Sequence, residues 1–172
     1  MTRRIRSGLL AGALAALTVV LSACTAPHPT VTFYGDRSAV TVGPQLWCDV
    51  DTASLTVKCP PDAAGAGDSG VLAMGTDKAL QINVPGEVAD APWFVTFAYR
   101  DAAGKVQTER SEVISDGRLS YTLPSRGKGT QLIRVELDSG LVPTQAANGS
   151  TVFFASRVWV LAISPKPAPA VD

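Results

Sequence analysis

The chain has 172 residues, 46% hydrophobic and 17% charged, which is enough for one domain with a real core and too short for two. Its 15 Lys and Arg balance its 15 Asp and Glu, but Arg3, Arg4 and Arg6 crowd the first six residues, so the rest is mildly acidic. A basic footprint for nucleic acid is therefore absent, and the apolar content argues against a wholly disordered chain.

The N-terminus reads as an address. The three arginines precede the 14-residue apolar run Gly8–Leu21, the n-region and h-region of a secretory signal. A helix crossing the hydrocarbon core needs roughly 20 residues, so the run is short for a permanent span. Leu21-Ser22-Ala23-Cys24 follows directly. This resembles the bacterial lipobox: an aliphatic residue, two small residues, then a cysteine. The resemblance implies cleavage before Cys24 and diacylglycerol on its sulfur, often with acylation, such as palmitate, of the new amino terminus. Two or more acyl chains anchor stably where one is marginal. The expected location is the outer, extracytoplasmic face of the cell membrane. Residues 1–23 are then a signal peptide and residues 24–30 a lipidated cysteine with a Pro-rich tether. Residues 165–172 form a Pro/Ala tail expected to be disordered, which leaves one domain over residues 31–164.

That domain reads as strands throughout, because apolar residues alternate instead of recurring at three and four. Val31 and Phe33 face Val42 and Val40 if Gly35-Asp36-Arg37-Ser38 is the turn. Leu46–Val50 and Leu55–Cys59 form the next pair, followed by a Pro/Gly/Ala/Asp loop over residues 60–70. Leu80, Ile82 and Val84 alternate up to Pro85-Gly86. Trp93–Arg100 is the strongest strand, and Lys105–Ile114 pairs back on it with Tyr99 facing Val106. Leu119, Tyr121 and Leu123 alternate, as do Ile133, Val135 and Leu137. Phe153–Ile163 is apolar on both faces, as a covered central strand would be. About nine to ten short, mostly antiparallel strands with this spacing predict an all-β, immunoglobulin-like β-sandwich.

Little chemistry is supplied. The single histidine, His28, lies in the tether, so a Ser–His–Asp or Cys–His arrangement within the domain is excluded. No metal or cofactor motif occurs, and none is expected. Asp49 with Asp51, and Glu109 with Glu112 beside Arg110, are the acidic pairs, read as solvated strand faces. A glycosidase would need two carboxylates facing across a cleft. Arg100, Arg110, Arg134 and Arg157 each interrupt an apolar strand. Arg157, flanked by Phe153, Ala155, Trp159 and Leu161 on its own face, is the most unusual. A rim arginine whose methylenes cover apolar surface is the plain reading; anion recognition by Arg157 with Trp159 nearby is the functional one. Trp47, Trp93 and Trp159 read as core more readily than as a binding platform. Asn148-Gly149-Ser150 matches a glycosylation acceptor but reads as a turn.

Cys48 and Cys59 are expected to form a disulfide, since an exported domain folds in an oxidising compartment. A hairpin register that pairs Val50 with Val57 and Thr52 with Leu55 also pairs Cys48 with Cys59. It sets Asp49 opposite Lys58 on the wet face and makes an apolar, core-like face of the rest. A slip of one residue destroys both matches.

The signal motif with VTFYG, GPQLWCDV, VPGEVADAPWFVTFAYRDAAG, QLIRVEL and RVWVLAIS resembles a family of uncharacterised actinobacterial lipoproteins, a domain of unknown function. The resemblance covers most of the mature chain, and PWFVTFAYRDAAG is its most specific block. It implies location and carries over only Cys24. The expectation is a non-enzymatic binding or envelope-associated module, its partners a membrane through the anchor and an envelope protein or ligand. The alternatives are a lipid or glycan carrier with a pocket between its sheets, and a carboxylate-dependent hydrolase.

Overall fold

The computed structural model describes residues 27–51, 53–54, 56–61, 63 and 69–166. Among these are twelve strands and one short helix. The first six strands are β1 (Val31–Gly35), β2 (Ser38–Val42), β3 (Leu46–Trp47), β4 (Asp49–Asp51), β5 (Thr56–Lys58) and β6 (Gly70–Met74). Then come β7 (Leu80–Asn83), helix α1 (Gly86–Ala89), β8 (Trp93–Arg100), β9 (Val106–Arg110), β10 (Ser120–Leu123), β11 (Gln131–Gln145) and β12 (Thr151–Pro165). One sheet has the order β10-β7-β1-β2 and the other β3-β12-β11-β8-β9, with β6 parallel to β12 along the same edge as β3. Strands β4 and β5 form a separate two-stranded ribbon.

This is an immunoglobulin-like sandwich. β1, β7 and β10 take the places of strands A, B and E, and β12, β11, β8 and β9 those of G, F, C and an added C′. Trp93 on β8, the C-equivalent strand, is fully buried, as that fold's central tryptophan is. Val31, Phe33, Leu80 and Ile82 from one sheet meet Val95, Val135, Leu137, Trp159 and Leu161 from the other, all with 0% exposure. Each such side chain contributes about 1.5–3 kcal/mol by leaving water. Helix α1 plugs one margin of this core with the fully buried Val88.

The first hairpin has the expected register, Val31 opposite Val42 and Phe33 opposite Val40. Its turn residues Asp36 and Arg37 both have positive φ, 47° and 68°, the type I′ geometry that matches strand twist. The disulfide ribbon also keeps its register: Asp49 faces Lys58, Val50 faces Val57, and Cys48 is bonded to Cys59. The Thr52–Leu55 pair lies outside the described residues. Asp51 accepts hydrogen bonds from the backbone of Ala53 and Ser54, which makes the turn that Ala-Ser alone disfavours.

Four local expectations are corrected. Tyr99 faces Gln107, and Arg100 faces Val106, because Lys105 belongs to the turn: Asp101 N–H donates to Lys105 O, and Gly104 sits at φ 84°. A bulge at Ile133 shifts the parity of β11, so Leu132 joins Val135 and Leu137 against the core. The face of the disulfide ribbon is not core: Cys48 is buried, but Val50 and Val57 are half-buried and Cys59 is exposed. β12 is buried from Ser156 onward only in part, and its first four residues, Thr151–Phe154, are exposed. At the other end β12 runs through Pro165, and Lys166 bonds Met74 O and pairs with Asp36. β6 and the four-residue α1 are elements beyond those the alternation predicts.

The sandwich has two distinguishable ends. At one, Gly35 packs on Met74 and Leu80, Met74 is opposite Pro165, and Gln131 donates to Met74 O. The turn after Arg100 lies at this end too, since Arg100 is opposite Gln131. Toward the other end, Val31 and Val42 lie level with Gly70 and Leu161, and the chain before Val31 continues past Trp159.

Candidate functional site

The tether arrives at a group of aromatic side chains. β12 directs Trp159, Leu161 and Ile163 into the core, and Arg157, in phase with them, sits where the core opens. The Trp159 indole N–H donates to Pro29 O at 3.1 Å, so a core side chain holds the tether backbone. β3 lays Trp47 beside Arg157, with its ring edge-on to Trp159 at 6.1 Å and 86°. His28 stacks on Trp47 with centroids 4.5 Å apart. The Arg157 guanidinium carbon lies 4.4 Å from the same ring's centroid. Such a cation–π contact is worth about 0.5–1 kcal/mol at a partly exposed site.

The two candidate binding residues thus part company. Trp159 is fully buried and presents no surface, a core residue and not a platform. Arg157 is half-buried with its flat face on Trp47, and no acceptor among the described residues reaches its Nε. Cys24 lies outside the described residues. The other arginines have local partners: Arg100 donates to Gly104 O, Arg110 covers the Phe94 ring, and Arg134 pairs with Glu136.

Beyond this group β11 and β12 continue as a two-stranded hairpin. Its base is marked by Gly140, at φ 62°, whose carbonyl accepts the Ser156 hydroxyl at 2.9 Å. Past that point Leu141 pairs with Ala155, Pro143 with Phe153, and Gln145 with Thr151. Val152, Phe153 and Phe154 are 42%, 53% and 43% exposed. Asn148-Gly149-Ser150 forms the tip turn: Gly149 has φ 79°, and the Asn148 side-chain oxygen accepts from both N–H and O–H of Ser150. None of residues 139–156 is charged. In the sequence only Phe153 onward carries a strand pattern, that of a covered strand, so the uncharged run does not by itself mark a site.

The outer face of the larger sheet carries a buried acid. Asp138 is 6% exposed and sits opposite Phe94. Burial, then the nearby Glu136 charge, pushes its carboxyl up to about 6 against the pull of Thr96 Oγ1, which donates at 3.3 Å, and of Arg110. In the sequence it is one more polar residue of an alternating strand; only the pairing with β8 reveals its burial. Among the described residues no carboxylate faces it across a cleft: Glu136 is two residues away on its own strand. The expected acidic pairs are engaged separately. Asp51 caps its own turn, whose N–H donors hold its carboxyl below the usual range, and Asp49 is exposed. Glu109 accepts from Tyr99 Oη at 2.5 Å and pairs with Arg126, while Glu112 is exposed. Among the described residues no three His, Cys, Asp or Glu side chains gather as a metal site requires. A cleft lined by Lys78, Tyr99, Leu123, Pro124, Arg126 and Leu132 encloses about 10 Å³, room for roughly one water.

No curated protein and no solved structure matches the chain. One family model does, over residues 25–164, described as a protein of unknown function (DUF2771). That match spans the tether, both sheets and the hairpin, and the chain belongs to this family.

Proposed function

We propose that the protein is a lipid-anchored, extracytoplasmic β-sandwich, fixed through Cys24 to the outer face of the cell membrane and serving as a non-enzymatic, envelope-associated binding module. The observation that carries this reading is the seat of the tether. Pro29 is bonded to Trp159 and His28 is stacked on Trp47, so only the few residues between Cys24 and Pro27 separate the anchor from packed structure. A leash this short holds the domain against the bilayer and sets which end faces it. The space between the sheets supports a binding surface more than a carrier's pocket, since Phe33, Trp93, Leu137 and Trp159 fill it with no exposure. The one histidine lies in the tether, stacked on Trp47, which leaves the domain itself without an imidazole for a Ser–His–Asp or Cys–His arrangement.

Cys24→Ala should move the protein from the membrane fraction into unprocessed precursor or the medium. Intact-mass analysis of the wild type should show acyl chains on Cys24. A mature chain that begins elsewhere and carries an unmodified thiol would refute the anchor. Turnover of acyl, phosphoryl or glycosyl substrates, abolished by a single Ser, Asp or Glu substitution, would refute the non-enzymatic reading.

A further inference from the structure

The exposed half of the β11–β12 hairpin lies on the same end of the molecule as the tether, and the two run alongside each other. Val31 is level with Leu161, Pro29 touches Trp159, and His28 meets Trp47, the partner of Arg157. Going toward the N-terminus, the tether therefore climbs in the direction in which β12 leads back to its tip. From Pro29 to Cys24 is five residues, a reach of at most about 17–18 Å. From Trp159 to Phe154 is also five residues, about 17 Å of strand. Even a fully extended tether brings Cys24 no farther than the level of Phe154, and the tip turn reaches beyond it. With the Cys24 lipid in the outer leaflet, the tip meets the membrane.

Its chemistry suits that meeting. Phe153, Phe154 and Val152 are exposed, Pro143 is Phe153's cross-strand neighbour, and no residue from 139 to 156 carries a charge that would have to be desolvated. Phenylalanine is among the side chains that interfacial elements bury at the headgroup–acyl boundary. Between the two strands the hairpin's backbone groups pair with each other, while the groups on its two outer edges still need water or lipid headgroups, which confines entry to the interfacial layer.

We propose that this hairpin is a membrane-inserting element, its tip dipping into the outer leaflet of the bilayer that holds Cys24. The inference rests on the anchored reading above. Phe153 stands three residues, about 10 Å of strand, behind Ser150 of the tip turn, so an interfacial depth of about 5–10 Å covers the exposed side chains when the ribbon enters on a slant, which fixes the domain's tilt. Lacking charge, the contact is insensitive to ionic strength.

The test uses the full chain, isolated with its anchor and reconstituted in phosphatidylethanolamine–phosphatidylglycerol vesicles with a nitroxide on the acyl chains. An environment-sensitive fluorophore is placed at Phe153→Cys or, separately, at Val152→Cys. Lys105→Cys, in the turn at the opposite end, is the reference. Intact mass is read on the same samples. Quenching several-fold stronger at 153 and 152 than at 105, unchanged by salt, supports insertion. Acylated Cys24 with no excess quenching at 153 and 152 overturns the hairpin proposal and leaves the anchor standing. An unmodified Cys24 overturns the anchor; selective quenching when vesicles are added to that soluble chain still supports the hairpin, and its absence overturns both. A 153 probe shielded from iodide without lipid quenching, in a chain that runs as a dimer, assigns the tip to a second copy and overturns insertion.

Discussion

Asp138→Asn should stabilise the protein at neutral pH and leave it unchanged in acid. The carboxyl is 6% exposed against Phe94, and its pKa is pushed up to about 6 by burial and by Glu136. In the unfolded chain an Asp titrates near 3.9. Between these values the folded state keeps a proton that the unfolded state releases, so folding weakens as pH rises through that window. The full penalty is present above about pH 6 and vanishes below about pH 4. A displacement of about two pH units corresponds to about 3 kcal/mol. Solvent that still reaches the carboxylate screens part of this, leaving about 1–2 kcal/mol. The amide removes the charge and keeps an acceptor for Thr96 Oγ1. Urea unfolding of both proteins at pH 7.5 and pH 4 reads the difference, and comparing variant with wild type cancels the other carboxylates. Those work in the opposite sense: Asp36, Asp51, Asp101 and Asp116 are lowered by hydrogen bonds and stabilise less as pH falls. A variant destabilised at pH 7.5, or an equal shift at both pH values, would refute the reasoning. So would a carboxyl NMR titration of Asp138 centred near 4.

Two further substitutions probe the tether and the hairpin base. Trp159→Phe keeps an aromatic ring but removes the donor to Pro29 O; a loss of about 1–3 kcal/mol is expected. The single histidine should report release of the tether, its ring-proton signals leaving the shielded position over Trp47, whereas unmoved signals would show that the indole N–H does not hold the tether. Gly140→Ala puts a side chain at φ 62° with its Cβ in collision with Ser156 Oγ, and should cost about 1–3 kcal/mol in thermal or urea unfolding. Ser156→Ala in the same chain should relieve only the collision; full recovery would mean that the left-handed backbone itself carries no strain.

The parts of the fold that were legible in the sequence are those set by short-range physics. Alternation placed Phe33 opposite Val40, and charge with apolar pairing placed Asp49 opposite Lys58 and Cys48 on Cys59. Where a turn absorbs one more residue, as at Lys105, or a bulge inserts one, as at Ile133, the pattern leaves either register open and side chains change faces. Strand β6 escaped notice because Val71-Leu72-Ala73-Met74 does not alternate and its parallel partner lies some 90 residues away in β12. The burial of Asp138 and the meeting of Pro29 with Trp159 are products of long-range pairing, which no local window contains.

The long β11–β12 pair explains why an uncharged aromatic tip can be carried at all. A two-stranded ribbon standing alone is marginal in water, so one that projects from a sandwich depends on its base. There three segments are tied together. Cys48 N–H donates to Ser156 O at 2.8 Å, and Ser156 Oγ donates to Gly140 O. The Cys48 backbone is in turn held by the disulfide to Cys59. On the β8 side the ladder ends where that strand begins, at Trp93, whose partner is Ser139, one residue short of the base. The disulfide ribbon therefore braces the strand pair at the level where the larger sheet stops covering it. This gives the bridge a role its surroundings otherwise leave unexplained. Val50 and Val57 are only half-buried and Cys59 is exposed, so the ribbon adds little core, but it fixes the root from which the tip projects toward the tether's end of the molecule.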